Sequence, residues 1–134
     1  MTRLAGTLFF RDVDAELLAK ATTRSQAIIA SNGASFGDRD FRHERNYDAF
    51  PTFLRLVEAK QLMPMEAAIS KITRIPAETY GIVGRGTIKP GQAADIAVLG
   101  KDWKPVHTVV NGVVALKEGQ PQKTLSGAVL RPNT

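Results

Sequence analysis

Near the C-terminal end of the chain, residues 95–116 read DIAVLGKDWKPVHTVVNGVVAL. Three runs rich in Val and Ile are separated by turn-forming residues, a composition that is typical of strands. Asn111-Gly112 stands between the last two runs, and both residues tolerate the positive φ angles of a type I′ hairpin turn. The stretch predicts a small antiparallel β unit with strands at Asp95–Leu99, Val106–Val110 and Val113–Leu116.

The first 30 residues show a different pattern. An apolar run at Leu4–Phe10 is followed by a helical pattern that Asp12 is placed to cap, with Leu17 and Ala21 on its apolar face. A second apolar run follows at Gln26–Ala30. Runs without polar alternation are typical of parallel strands, which are buried on both faces. This region therefore predicts a parallel strand–helix–strand unit.

Between these two regions the sequence predicts a long loop and then helices. Residues 31–48 are polar and aperiodic, which indicates a loop after the second parallel strand. Apolar residues recur at helical spacing from Phe50 and again after Pro64, and a one-turn helix is expected from Pro76 to Gly81. The predicted fold class is α/β. It has two parts, an α/β part at 1–82 and a β part at 83–134.

Composition limits the chemistry that these 134 residues can hold. There is no cysteine, so a disulfide, a thiolate metal site and a cysteine nucleophile are excluded. His43 and His107 are far apart and form no close pair that could bind one metal ion. His107 falls inside a predicted alternating strand, which favours a structural role. We therefore expect no metal and no other cofactor in this chain alone.

Charge and hydropathy narrow the choice of partners. The formal net charge is +5, but the basic residues are scattered rather than gathered into a patch, so no nucleic-acid partner is predicted. Gly81-x-x-Gly84 lacks the lysine of a phosphate loop and is interpreted as a helix stop and turn. No apolar run approaches the roughly 20 residues that span a membrane. The expected location is cytoplasmic, without a membrane partner.

Polar residues gather in the predicted loop directly after the second parallel strand. In α/β sheets and barrels, ligands bind at the carboxyl ends of parallel strands. Ser31-Asn32-Gly33 occupies this position and fits either a binding site or a turn-forming Asn-Gly pair. His43 and Arg45 follow in the same loop, where arginine could hold a carboxylate, although a plain solvated loop fits them as well.

Several motifs resemble a known family. Gly86-Thr-Ile-Lys-Pro-Gly-Gln-Ala-Ala-Asp-Ile-Ala-Val-Leu99 is similar to the signature G-x-[IL]-x-x-G-x-x-A-D-[IL]-x-[VL] that closes many members of the amidohydrolase superfamily. Three upstream motifs resemble, in order, the S-D-G, H-P-R and T-F-P-R-x-L motifs of N-acyl-D-amino-acid deacylases, also called D-aminoacylases. They are Ala30-Ser-Asn-Gly33, His43-Glu-Arg45 and Ala49-Phe-Pro-Thr-Phe-Leu54.

The resemblance implies a fold and a reaction. In this family a metal-bound hydroxide inside a (β/α)8 barrel attacks an amide carbonyl, and the complete enzyme uses zinc. The chain would then be the last βαβ unit of the barrel with its following helices, plus a segment of the small antiparallel β-sandwich. Thr7–Phe10 would be barrel strand seven and Gln26–Ala30 strand eight. The metal ligands would belong to strands before this sequence.

The resemblance also assigns roles to individual residues. Asn32 stands where the family has the strand-eight Asp, the acid that takes a proton from the attacking water and passes it to the leaving amine. An amide cannot carry that proton, so a rate loss of about 10²–10⁴ is expected even in a complete barrel. The substrate-binding positions implied are Ser31, Gly33, His43 and Arg45.

Two interpretations follow. In the first, the chain is the C-terminal portion of an amidohydrolase acting on an N-acyl amino acid and is inactive alone. In the second, it is a non-enzymatic anion- or partner-binding assembly module that reuses the α/β remnant. Unpaired strand edges and apolar helix faces predict a partner in either case. That partner would be a second copy in a symmetric dimer or a chain that supplies the rest of the barrel.

Overall fold

The computed structural model describes residues 14–31 and 46–132. Within these ranges, four helices precede a four-stranded antiparallel sheet of order β1-β2-β3-β4. The helices are α1 (Ala15–Thr23), α2 (Ala49–Lys60), α3 (Met65–Ile72) and α4 (Arg74–Thr79). The strands are β1 (Ile96–Leu99), β2 (Pro105–Val110), β3 (Val113–Lys117) and β4 (Gln120–Pro121). The predicted mixed α/β class is confirmed at this level. In the described ranges, no helix has the length and apolar character needed to cross a membrane.

Helix α1 begins later than predicted and buries a different face. The Asp14 side chain accepts hydrogen bonds from the backbone N–H groups of Glu16 and Leu17, at 2.7 and 3.1 Å, so Asp14 is the N-cap. The predicted cap, Asp12, lies outside the described residues. Ala19 and Thr22 are buried, whereas Leu17 is 64% exposed, so the predicted apolar face is wrong. The buried residues of α1 are a small one and a polar one, so the spacing of large apolar residues did not mark the buried face.

The core lies between α2 and α3, whose positions agree with the predicted helices. Phe53, Leu54 and Val57 of α2 pack with Ala68 of α3, and none of the four is more than 4% exposed. These residues recur three and four apart because such positions lie on one face of a helix. The helical spacing of the sequence therefore located the core correctly.

Helix α4 begins at Arg74, two residues before the predicted start at Pro76. Proline is tolerated throughout the first turn because the backbone N–H groups there have no partner inside the helix, so it marks a start only approximately. The helix ends before Gly81, whose φ of 65° is left-handed, and Gly84 and Gly86 also have positive φ angles. The helix-stop and turn interpretation of these glycines is confirmed. A Cβ on Gly86 would lie 2.9 Å from the Thr73 carbonyl oxygen.

The antiparallel sheet follows the sequence prediction closely. Asn111 and Gly112 have φ angles of 48° and 81°, the signs that a type I′ turn requires, and they join β2 to β3. Strand β4 is only two residues long and was not predicted. By contrast, Gln26–Ala30 forms no ladder with another described strand. A strand requires a paired neighbour, and its predicted neighbour at Leu4–Phe10 lies outside the described residues.

A polar network at the start of β1 ties three segments together. Asp95 forms an ion pair with Arg85 and accepts a hydrogen bond from the Asn111 backbone N–H at 2.7 Å. The Arg85 guanidinium also donates to the Asn111 side-chain oxygen at 2.6 Å, and the Asn111 amide donates to the Ser126 carbonyl. Asp95 therefore links the loop after α4, the hairpin turn and the C-terminal tail.

Replacing Asp95 with Ala is expected to lower the free energy of unfolding by about 0.5–1.5 kcal/mol, because the substitution removes the carboxylate opposite Arg85 and the acceptor of the Asn111 N–H at a partly exposed site. Asp95→Asn keeps an acceptor for Asn111 but removes the charge opposite Arg85, so its loss should be smaller. Urea unfolding of the three proteins measures the difference. Equal stability of the Asp95→Ala protein and the parent would contradict a structural role for this network.

Candidate functional site

The predicted site residues lie at the edge of the described structure. Ser31 is exposed and ends the first described range. Asn32, Gly33, His43 and Arg45 lie outside the described residues, so no structural statement applies to them and their predicted roles stay predictions. The structure does describe the segment that leads into Ser31 and the helix that follows the loop.

The segment that leads to Ser31 is fastened to α3 by Lys71. The Lys71 ammonium donates hydrogen bonds to the carbonyl oxygens of Arg24 and Ala27, the latter at 3.1 Å. The backbone N–H of Ile29 donates to the Lys71 carbonyl oxygen at 3.4 Å, and the Ile29 side chain packs against the core. Lys71 is only 5% exposed. Within the part of the chain that the structure describes, the predicted strand-eight segment is thus held by a residue of α3.

Lys71 is not among the residues to which the sequence assigned a role. The available signal was its position three residues after Ala68, on the side of α3 that faces the core. A lysine at such a position is unusual, since a fully buried ammonium is rare unless it is paired or hydrogen-bonded. Its acceptors lie 44 and 47 residues earlier in the chain, too far for any local pattern to reveal them.

The helix on the other side of the loop begins with a charged network. Asp48 forms an ion pair with Arg55 and accepts a hydrogen bond from the Thr52 hydroxyl at 3.0 Å. Burial opposes ionisation of Asp48, but the hydrogen bonds from Arg55 and Thr52 and the positive charges of Arg55 and Lys104 outweigh it. Together they hold the pKa of this carboxyl below its ordinary value. The Arg55 guanidinium also donates to the Asp102 carbonyl oxygen at 3.1 Å, which connects α2 to the β1–β2 turn.

This network predicts a specific acid sensitivity. Because the pKa of Asp48 is lowered on folding, its stabilising contribution is fully present above the unfolded value of about 3.9 and is lost as the pH falls through the folded value. Asp48→Asn should therefore be less stable than the parent at pH 7, by up to about 1 kcal/mol for a partly exposed pair. The difference between the two proteins should shrink as the pH falls below about 4. Urea midpoints measured at pH 7 and at a series of lower pH values check this, and a difference that stays constant across the series would contradict it.

A largely apolar cavity of about 560 Å³ lies between the helices and the sheet. Its walls come from α2, α3, β1, β2 and the loops beside them, and include Leu54, Ile69, Ile72, Leu99 and Trp103. Among the described residues of its wall, Asp95 is the one carboxyl, and it is already bonded to Arg85 and the hairpin turn. The described part of the wall is therefore suited to apolar side chains.

The described residues do not offer the donor set of a metal centre. They contain no group of three or more His, Cys, Asp or Glu side chains placed to hold a metal ion. His107, on β2, accepts a hydrogen bond through Nδ1 from the Glu118 backbone N–H at 3.3 Å, which agrees with the structural role predicted for it. The described residues therefore assign no catalytic step to a metal ion.

Comparison with known proteins gives the family. A profile of the amidohydrolase family matches residues 16–115, about three quarters of the chain. The chain belongs to the amidohydrolase family. The resemblance drawn from the Gly86–Leu99 signature is therefore confirmed.

Two relatives that this chain matches are named as deacylases. N-acyl-D-glutamate deacylase from Alcaligenes xylosoxydans xylosoxydans is 30% identical over 143 residues, which cover 95% of this chain and 28% of that protein. D-aminoacylase from the same organism is 30% identical over 95 residues, covering 70% of this chain and 19% of that protein. The chain thus spans roughly a quarter of the length of the curated relatives it matches.

Comparison with solved structures also finds a D-aminoacylase. A D-aminoacylase structure, determined for the role of its binuclear metal centre, superposes with a TM-score of 0.61 at 25% identity. The superposition covers 66% of this chain and 22% of the D-aminoacylase. The predicted deacylase branch of the family is therefore confirmed as the group that this chain is similar to.

Proposed function

We propose that these 134 residues supply the C-terminal portion of a metal-dependent amidohydrolase that hydrolyses the amide bond of N-acyl-D-amino acids. The observation that supports this most strongly is the family match over residues 16–115 in a chain that spans only 28% of N-acyl-D-glutamate deacylase. On this proposal, residues 14–31 and α2–α4 belong to the last part of the barrel, and β1–β4 to the small sandwich. Zinc and the groups that bind it come from the rest of the fold.

The contribution of this chain to the reaction is substrate positioning. Ser31, Gly33, His43 and Arg45 bind the substrate, and the arginine fork suits the carboxylate of an N-acyl amino acid. Asn32 stands at the acid–base position, where its amide can hydrogen-bond but cannot carry a proton. The chain alone therefore performs no hydrolysis, and the native Asn32 keeps turnover low even in a complete barrel.

A hybrid protein tests whether these residues occupy the proposed place in the fold. In N-acyl-D-glutamate deacylase, the aligned portion is replaced by this chain. The hybrid should fold and bind the same amount of metal as its parent, because on this proposal the ligands lie outside the exchanged part. A folded hybrid that has lost its metal would contradict the proposal, and so would a hybrid that cannot be refolded under conditions that refold the parent.

We also propose that the isolated chain associates with a second copy of itself through the outer face of the sheet. The register pairs Ile96 with Val109 and Val109 with Val114, so these side chains share one face, which Val98 joins. Val98 is 50% and Val114 43% exposed, which leaves an apolar strip uncovered. In a protein that spans a quarter of its relatives' length, such a strip is where the remaining chain would pack, and a second copy covers it in its absence.

Light scattering over a hundredfold concentration range tests this association. The parent chain should shift towards a dimer as its concentration rises, and Val98→Ser should weaken the dimer. The matched control is Ala97→Ser at the neighbouring position of β1, whose side chain points to the opposite face of the sheet. A chain that stays monomeric throughout, or equal dimer strength in the two variants, would count against this interface.

A further inference from the structure

Lys71 is the one cation among the described residues that is both buried and held by carbonyl groups alone. Its side chain is 5% exposed, and its ammonium donates to the backbone oxygens of Arg24 and Ala27. The ion pairs found among the described residues involve other side chains. No carboxylate in the described ranges therefore offsets the desolvation of this ammonium.

Such an arrangement is costly as a means of packing. Removing an ammonium from water carries a penalty of several kcal/mol that hydrogen bonds repay only in part. A methionine would fill the same space in α3 without that penalty, since its side chain is similar in length and apolar. Close packing alone therefore does not account for a lysine at this position. Beyond packing, the hydrogen bonds of the ammonium fix the positions of the two carbonyl groups that accept them.

The carbonyl groups that Lys71 fixes belong to one short segment. Arg24 lies just after α1, and Ala27 and Ile29 follow it within five residues. Lys71 contacts this segment with both its side chain and its backbone, so the two are joined at three points. Among the described residues the segment has no strand ladder, and the contacts that hold it there are these bonds and the packing of Ile29. Ser31 and Asn32 are the next residues along the chain after Ala30.

We infer that Lys71 is a positioning residue that sets the location of the chain leading into Ser31 by anchoring residues 24–29 to α3. That the next residue, Asn32, stands at the acid–base position of a hydrolase rests on the function proposed above. The anchoring itself does not, because it follows from the hydrogen bonds of Lys71. In a deacylase, an error of about 1 Å in the placement of a catalytic group reduces turnover severely, so an anchor of this kind has a direct use.

Hydrogen exchange of the full chain, resolved to single amides, tests the anchor. In Lys71→Met, exchange at Ile29 should accelerate by about 10-fold to 100-fold, since the charge-assisted bonds that hold its segment are gone. Exchange in α2 and in the sheet should stay unchanged. Lys60→Met is the matched control, because Lys60 is exposed in the last turn of α2 and should leave Ile29 unaffected. Unchanged exchange at Ile29, or an equal acceleration throughout the chain, would overturn the inference.

The absence of cysteine allows a rescue experiment at this single position. Lys71→Cys is unfolded, alkylated with 2-bromoethylamine and refolded, which restores an ammonium at nearly the length of lysine. A second sample is alkylated with 1-bromopropane, which gives a side chain of the same length with a methyl group in place of the ammonium. Slow exchange at Ile29 should return only in the aminoethylated protein.

The rescue also covers the case in which a variant fails to fold. If the propylated protein fails to refold while the aminoethylated one succeeds, the ammonium is required for global folding, and local positioning is overturned. Equal exchange at Ile29 in the two alkylated proteins overturns it as well. Exchange needs neither substrate nor metal, so its outcome is separate from that of the deacylase hybrid, and failure of one does not imply failure of the other.

Discussion

In the deacylase hybrid described above, Asn32→Asp should raise kcat by about 10²–10⁴. The physical reason is that a carboxylate can take the proton of the attacking water and return it to the leaving amine, whereas the native amide cannot, and general acid–base catalysis contributes a factor of this size. KM should change little, since the substitution alters proton transfer more than substrate binding. Initial rates with an N-acyl-D-amino acid measure both constants.

The control for this gain is Asn111→Asp in the same hybrid. Asn111 is the other asparagine followed by glycine, and it lies in the β2–β3 hairpin turn, where its side chain bonds to Arg85 and Ser126. The same chemical change there should not raise kcat. If Asn32→Asp leaves turnover at the level of the unaltered hybrid, Asn32 does not stand at the acid–base position, and the role assigned to it is wrong.

Leu54→Ala should lower the free energy of unfolding by about 2–5 kcal/mol, the largest stability effect expected for a single substitution in this chain. Leu54 is 1% exposed and packs in the core with Phe53, Val57 and Ala68. Its removal loses apolar burial and leaves a space that the neighbours fill only partly. Urea unfolding, at one fixed protein concentration because of the expected association, measures the loss.

Leu17→Ala is the matched control for this substitution. It makes the same chemical change on α1, where Leu17 is 64% exposed, and should alter stability by less than about 0.5 kcal/mol. Similar losses in the two variants would show that the core does not lie between α2 and α3.

The parts of the fold that local rules govern were predictable from the sequence. The Asn111-Gly112 turn was found because only residues that accept positive φ form it, and α2 and α3 because their apolar spacing repeats over two or more turns. The buried face of α1 was missed because it carries Ala19 and Thr22 rather than large apolar residues. Its cap was misplaced because aspartates occur at both positions 12 and 14.

The contacts that reach across the chain were not predictable in the same way. The Asp95 network joins residues that are brought together only once the hairpin forms, although the Gly86–Leu99 signature had marked Asp95 as a family position. Lys71 was missed because its acceptors lie more than 40 residues earlier. Of the predicted site residues, the structure describes Ser31 alone, so the loop site rests on family resemblance and on the anchor that leads into it.

The most direct test of the account is the metal content of the purified 134-residue chain, measured together with its deacylase activity. After equilibration with zinc and removal of the excess, the chain should hold far less than one metal ion per molecule. It should release no detectable amino acid from an N-acyl-D-amino acid. One tightly held zinc ion per chain with measurable turnover would contradict the claim that the metal centre lies outside these residues.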